Sequence, residues 1–482
     1  MMHTTNIHTG SLKELWKISY PLMLSFLSLF VMIFVDRIFL SHYSTQALNA
    51  ATSAGTFSWS LILGWSTLAG LAEVFVSQYN GAKQYSMLGE PVWQMLWFSL
   101  FSIAFFLPMG LWGGSWFYGQ PSSTNLEYIY FRYTMYFSPF SVMVAALTAF
   151  FVGQGKTSII KWLALLGNAV NIVFDPLLIF GLGSIVPSMG VAGACIATGT
   201  GIIVQAAVLL YLFLKKENQN QFGTNQWKLR WFPFIRCVKI GLPPAIFVFI
   251  ELLGWSIFYW MMTQISVEHI LVSSICQSIL LLFVFFGLGL EKGAAIVAGN
   301  LIGAQKVDKV HTTLYSGLKM LGLFFLLLVF FFIAFPDLLI NLFLHNLQNF
   351  DIAFSTDAID SSSLVKLKST IRTGLIFIAI YMIIEDIRWL INGILTAAGD
   401  TFFLMISGAS CVWLFLLLPT YFFVMKPHAT IHIAFVIWIA YSAIATLLFY
   451  FRFKQGKWQK LSLVIESNPA SPEESLSTSV EN

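Results

Sequence analysis

Eleven charged residues sit within stretches that are otherwise apolar: Asp36, Glu73, Asp175, Glu251, Glu291, Glu385 and Asp386, with Arg37, Lys292, Arg372 and Arg388. A charge at membrane depth costs about 2.5–3.5 kcal/mol on insertion scales, so such residues mark binding sites more often than they would in water. Asn171 and Asp175 stand four apart in NAVNIVFDPLLIFG and share a helix face. An amide oxygen and a carboxylate one turn apart can coordinate a small hard cation. The competing reading is a polar pair that glues two helices together. Pro176 follows directly, removes one N–H from the helix and tends to kink it.

The other charges read less simply. Asp36 in FVMIFVDRIFLS precedes Arg37, which would either pair with it or snorkel outward. Glu251 in FVFIELLGW has no basic residue within one turn. Its partner must come from another helix, a cation or a proton. In YMIIEDIRWLING, Tyr381 and Glu385 share a face, while Asp386 and Arg388 point elsewhere, toward each other or toward neighbours. Glu291 and Lys292 read as a local ion pair, and Glu73 has no assigned partner. There is no Walker-type glycine loop, no His-Glu-x-x-His and no G-x-S-x-G, so the chain does not read as an enzyme or an ATP-driven pump. The four cysteines lack metal-ligand spacing and read as small buried hydrophobes.

The elements that must carry these residues follow from composition. The 482 residues are 57% hydrophobic and 10% charged, with 47 phenylalanines and a mean hydropathy of +0.78. A soluble domain is about 25% charged, so the fold class is an all-α polytopic membrane protein. The net charge of +4 gives no sign of a nucleic-acid partner. Apolar runs of about 20 residues predict about twelve transmembrane helices, near 15–40, 52–78, 92–113, 128–152, 159–181, 190–214, 238–262, 273–299, 314–344, 370–397, 402–424 and 432–453. The N-terminus reads as a short polar lead, not a cleaved signal.

Lys83, Lys156, Lys215, Lys216, Lys228, Arg230, Lys306 and Lys309 occupy one alternate set of loops, and the termini add Lys13, Lys17, Arg452, Lys454, Lys457 and Lys460. The other set holds few basic residues, chiefly Lys366, Lys368 and Lys426. The positive-inside rule then makes both termini cytoplasmic, in a multi-pass protein of the cell membrane.

The chain divides into an N-lobe at 1–214, a cytoplasmic linker at 215–235, a C-lobe at 236–460 and a tail at 461–482 that reads as disordered. The halves resemble each other. Pro21 and Pro243 are 222 positions apart, as are Gly81 and Gly303 in YNGAKQ and LIGAQK. Gly155 and Gly399, in GQGKT and AAGDT, are 244 apart, and the extra length matches a polar insert at 349–370. Three matches in order indicate duplication. Six helices per repeat keep the orientation, so the bundles relate by a pseudo-two-fold axis along the membrane normal with a cavity between them.

These motifs resemble the multidrug and toxic compound extrusion (MATE) family, in its NorM-like branch. The resemblance rests on FVD, NAVNIVFDPLLIFG, VSQYNGAKQ, GQGKT, MGVAGACIAT, FIELLGW and NGILTAAGDT and covers roughly residues 12–455. It implies secondary export of organic cations or amphipathic compounds in exchange for Na⁺ or H⁺, by alternating access between two lobes, by a monomer in the lipid bilayer with no cofactor beyond the coupling ion. It also implies two cation sites: Asp36, Asn171, Asp175 and Thr198 in the N-lobe, and Glu251, Tyr381 and Glu385 in the C-lobe, with Na⁺ possible at both. Asp386 is the alternative register to Glu385, but the spacing from Gly393 and the Tyr381 match favour Glu385. Glu73, Glu291 and the outer insert depart from the family pattern. The competing functions are a lipid-linked saccharide flippase, which would draw on Arg132, Arg372 and Arg388, and a non-transporting receptor or scaffold.

Overall fold

The computed structural model describes residues 9–341 and 361–463, except positions 121, 123, 184, 427–429 and 462. Among the described residues twelve helical passes follow one another: α1 Leu12–Tyr43, α2 Thr45–Gly81, α3 Tyr85–Tyr118, α4 Leu126–Gly153, α5 Thr157–Ile179, α6 Val191–Phe213, α7 Trp231–Ile265, α8 in two stretches (Val267–Leu281 and Val284–Gly303), α9 Asp308–Ala334, α10 Ser361–Ala397, α11 Thr401–Val424 and α12 Ile431–Lys454. Among the described residues, 11 helices are long and apolar enough to cross a membrane. The remaining pass, α10, has 37 residues but carries Glu385, Asp386 and Arg388 in its second half. The span expected at 273–299 is broken at Leu282–Phe283. The helix expected from 370 begins at Ser361, inside the insert, and the insert's first part lies outside the described residues.

The repeat is written into the backbone. Lys83 and Gln305 are 222 apart and both adopt the left-handed region, at φ 60 and 58, a conformation uncommon for residues with a Cβ. Gly155 and Gly399 match likewise at φ 74 and 85. Ser44 and Ser266, again 222 apart, are extended residues that end one helix and cap the next, their hydroxyls accepting from Ala47 N at 3.0 Å and His269 N at 3.2 Å.

Within the N-lobe, α1 packs on α5, α2 on α4, and α6 on both α4 and α5; in the C-lobe, α10 packs on α8 and α12, and α7 on α11. The lobes meet where α1 crosses α8, α2 crosses α7 and the end of α2 crosses α8. Each lobe's first helix leans on the other lobe's core. Leu15, Ile18, Leu22 and Met23 join the C-lobe core, while Cys237 and Ala245 join the N-lobe core. All four cysteines are buried and unpaired.

The end of the bundle that bears Lys83, Lys156, Lys306 and Lys309 is sealed. A Cβ at Gly81 would overlap the Asn300 carbonyl, and one at Gly303 the Gln78 carbonyl, so α2 and α8 touch backbone to backbone there. Asn80 Nδ2 donates to Asn300 Oδ1 at 2.6 Å, and Gln78 Nε2 to the Ala397 carbonyl at 2.7 Å. Most of the tail lies outside the described residues, but Leu463 is held in this seal. Its N–H donates to Gln78 Oε1 at 2.8 Å, and its carbonyl accepts from Arg236 Nη2 at 2.6 Å.

The segment between the lobes is docked. It forms a short helix, Lys216–Phe222, with Phe222 buried in the N-lobe core. Trp93 and Trp97 of α3 then donate to the carbonyls of Thr224 and Trp227, each at 2.8 Å. Gln94 accepts from Arg230 N at 3.0 Å, and Arg230 pairs with Glu90 at 2.9 Å.

Candidate cation sites in the two lobes

In the N-lobe, α1 presents Asp36, α5 presents Asn171 and Asp175, and α6 presents Thr198. Asn171 and Asp175 are fully buried. Asn171 Nδ2 reaches Thr198 Oγ1 at 3.1 Å and Asp175 Oδ1 at 3.4 Å, and the Thr198 hydroxyl donates to Asp36 Oδ2 at 3.4 Å. The Asp36 and Asp175 carboxyls lie within hydrogen-bonding reach of each other. All four residues named from the sequence therefore converge. One oxygen on each of Asp36, Asn171 and Asp175 is buried without a hydrogen bond. Arg37 is exposed, and among the described residues no ion pair joins it to Asp36. Two carboxyls facing one another away from water demand positive charge between them, and an all-oxygen donor set suits a hard cation or a proton.

Below this cluster Asn168 Nδ2 donates to Ser28 Oγ at 2.9 Å and ties α5 to α1. The sequence reading passed over Asn168, although it stands one turn before Asn171 on the same face. Pro176 lies in the last turn of α5, so the carbonyl of Ile172 lacks its helical donor beside Asp175.

The C-lobe is built differently. Glu251 comes from α7, Tyr381, Glu385 and Arg388 from α10, and Tyr441 and Ser442 from α12. Arg388, 2% exposed at its side chain, donates from Nη2 to Glu251 Oε1 at 3.0 Å. It donates from Nε to Glu385 Oε1, also at 3.0 Å, with a closer Nη2 contact beside it. Ser442 Oγ donates to Glu385 Oε2 at 2.7 Å, and Tyr441 OH to Glu251 Oε1 at 3.4 Å. Glu251 and Glu385 thus converge, but on a guanidinium. Tyr381 is buried, with its ring against Trp255 and Trp438. The expectation that Arg388 points away from Glu385 is corrected, because three residues along a helix return to the same side. Asp386 faces Gly287 of α8, where a Cβ would overlap its carboxyl, and its Oδ2 makes no hydrogen bond.

The expected Glu291–Lys292 pair is corrected. Lys292 Nζ bonds Glu73 across the lobe boundary. Glu291 Oε1 accepts from Asn392 Nδ2 at 2.5 Å. Consecutive helical residues do not face each other, so adjacency in sequence was the wrong guide.

Twelve passes in two repeated lobes, with a cluster of buried carboxylate and amide oxygens lacking hydrogen bonds in the N-lobe, define a multi-pass membrane transporter built by duplication. The family model described as MatE matches residues 21–177 and 243–422, one segment in each half. The chain belongs to that family. It is 24% identical over 464 residues to the probable multidrug resistance protein NorM of Thermotoga maritima, covering 94% of each chain. Its fold is similar to that of an outward-facing multidrug resistance MATE family transporter of the MOP superfamily, with TM-score 0.80 and 18% identity over 95% of this chain and 100% of that one. A crystal structure of MATE in the straight conformation gives TM-score 0.80 at 16% identity, with the same coverage.

Proposed function

We propose that this protein is a secondary multidrug exporter that moves organic cations or amphipathic compounds across the cell membrane in exchange for Na⁺ or H⁺ held in the N-lobe. One observation carries the choice of lobe. Asp36, Asn171 and Asp175 keep buried oxygens with no hydrogen bond, whereas Glu251 and Glu385 already share Arg388. The N-lobe cluster would take a cation from one side of the membrane and release it to the other as the lobes rock about the α1–α8 and α2–α7 contacts. The family membership and the names of its relatives support efflux. The basic loops support cytoplasmic termini, with the seal on the cytoplasmic side.

The driving force bounds the stoichiometry. A tenfold Na⁺ gradient is worth about 1.4 kcal/mol, and one charge crossing about 100 mV adds about 2.3 kcal/mol. A neutral substrate exchanged for one Na⁺ could be held at a gradient of several hundred-fold, roughly. A monovalent cation exchanged one for one keeps only about tenfold, because the charges cancel.

The flippase alternative would need arginines converging on a pyrophosphate. Arg132 donates to Tyr136, Arg372 pairs with Asp337, and Arg388 with two glutamates. No observation favours that reading.

The test uses purified protein in liposomes loaded with a fluorescent organic cation. A Na⁺ gradient and a pH gradient are imposed separately on wild type and Asp175→Asn. Transport that follows one gradient and is lost in the variant supports the reading and names the ion. Full ion-driven efflux by the variant, or no response of folded wild type to either gradient, refutes it.

A further inference from the structure

Glu73 and Lys292 lie outside both clusters, and the exposure pattern places them. On α2 every residue from Leu71 to Asn80 is buried, while Trp65, Ser66, Thr67 and Gly70 keep partial access. On α8 every residue from Gly293 to Gly303 is buried, while Phe285, Leu288, Glu291 and Lys292 keep access. Those four recur at helical spacing and line one face. Glu73 is thus the third residue of the sealed stretch of α2, and Lys292 is the residue before the sealed stretch of α8. Their pair caps the seal, at the floor of the cleft between the lobes.

The two ends of the pair are unequal. Lys292 keeps 39% of its side-chain surface exposed, whereas Glu73 keeps 8%. Anything entering the cleft meets the Lys292 side chain first, with the Glu73 carboxylate behind it. Above them stands an apolar wall, Phe285 and Leu288, that suits the flat body of an amphipathic molecule. Among the described residues this is the one ion pair that joins α2 to α8.

We propose that Glu73 reads the cationic head group of the exported substrate and that Lys292 is its built-in competitor. An organic monocation takes Glu73 from Lys292, replacing one ammonium–carboxylate contact with another. Lys292, already partly exposed, turns back to water in the cleft. An uncharged molecule of the same shape has nothing to exchange. The released Lys292 regains water, so the exchange favours the cation by a margin and selection is by charge, while the contact that is broken takes back part of the gain and keeps net affinity modest. The exchange also unfastens α2 from α8 at the top of the seal, so that binding and opening become one event. This inference rests on the export reading above.

The experiment measures binding of ethidium and of an uncharged phenanthridine of similar size to detergent-purified full-length protein, by fluorescence. Lys292→Met is expected to bind ethidium at least tenfold tighter, with the uncharged compound unchanged. Glu73→Gln should lose at least tenfold of the preference for ethidium, and Lys292→Arg should restore wild-type values. The double variant Glu73→Gln/Lys292→Met carries neither charge and guards against a folding defect; it should behave as Glu73→Gln. If Lys292→Met leaves ethidium binding unchanged or weaker, or shifts both ligands equally, the pair is only a fastener and the proposal is overturned. Wild type that exports by ion exchange while these variants stay indistinguishable sinks this inference alone. Wild type with neither ion-driven export nor a preference for ethidium sinks the export reading and this inference with it.

Discussion

At the scale of residues, Arg388 makes the two lobes unlike. Each lobe brings two carboxylates together, but only the C-lobe supplies its own cation. Removing one partner from a buried ion pair costs about 3–5 kcal/mol, because the other charges are left uncompensated. Arg388→Met should therefore lower thermal stability markedly, and added Na⁺ or mild acid should recover part of the loss by supplying the missing positive charge. A melting series across Na⁺ concentration and pH checks this; a loss that neither ion relieves would mean Glu251 and Glu385 cannot hold an exogenous cation. Asp36→Asn should instead abolish ion-driven transport with little change in melting, since it removes a charge that no protein base balances. The sequence made Asp36, Asn171, Asp175 and Thr198 legible, partly by helical spacing and partly by resemblance. It did not reveal the Lys292–Glu73 pair or the bridge from Arg388 to Glu251. Those contacts join helices far apart in the chain, and only the packing of one lobe on another, or the reach of the Arg388 side chain from α10 to α7, brings them together.

At the scale of elements, the crossing of α2 and α8 is set by what Gly81 and Gly303 lack. Gly303→Val must push α8 away from the Gln78 backbone. Overpacking of this kind costs about 1–3 kcal/mol, and here it also opens the seal. Lower stability is expected together with faster labelling by a water-soluble thiol reagent of a cysteine placed at Ser77, which is 1% exposed. Unchanged labelling would show that the crossing does not maintain the seal. Hydropathy revealed the passes because all but α10 carry an apolar stretch long enough to span a bilayer, and α10 still holds an apolar run from Leu375 to Ile384. It missed the break in α8, since LLLFVFF holds no glycine or proline to mark Leu282–Phe283. It missed the early start of α10 because Ser361 to Lys368 is polar, and polarity alone does not separate a protruding helix from a loop. The paired caps at Ser44 and Ser266 were equally hidden, since a lone serine becomes a cap only where the backbone extends.

At the scale of the whole molecule, the lobes must separate at the sealed end if substrate is to enter from the basic side. Cysteines at Asn80 and Asn300, whose side chains now touch, should form a bridge that halts transport and yields to reductant. Transport that survives full cross-linking would show that the cycle never parts these helices. The docked segment between the lobes has a consequence of another kind, for the order in which the protein is made. Because Trp93, Gln94 and Trp97 grip residues 224–230, that stretch belongs structurally to the part synthesised first. By the time Trp231 leaves the ribosome, the leading half already holds its own strap and can wait in the bilayer for α7 and the rest of its sister to arrive. Two polypeptides divided at Arg230–Trp231 should accordingly find each other when co-expressed, whereas a division at Leu214 would strip the strap from its dock and yield little assembled protein.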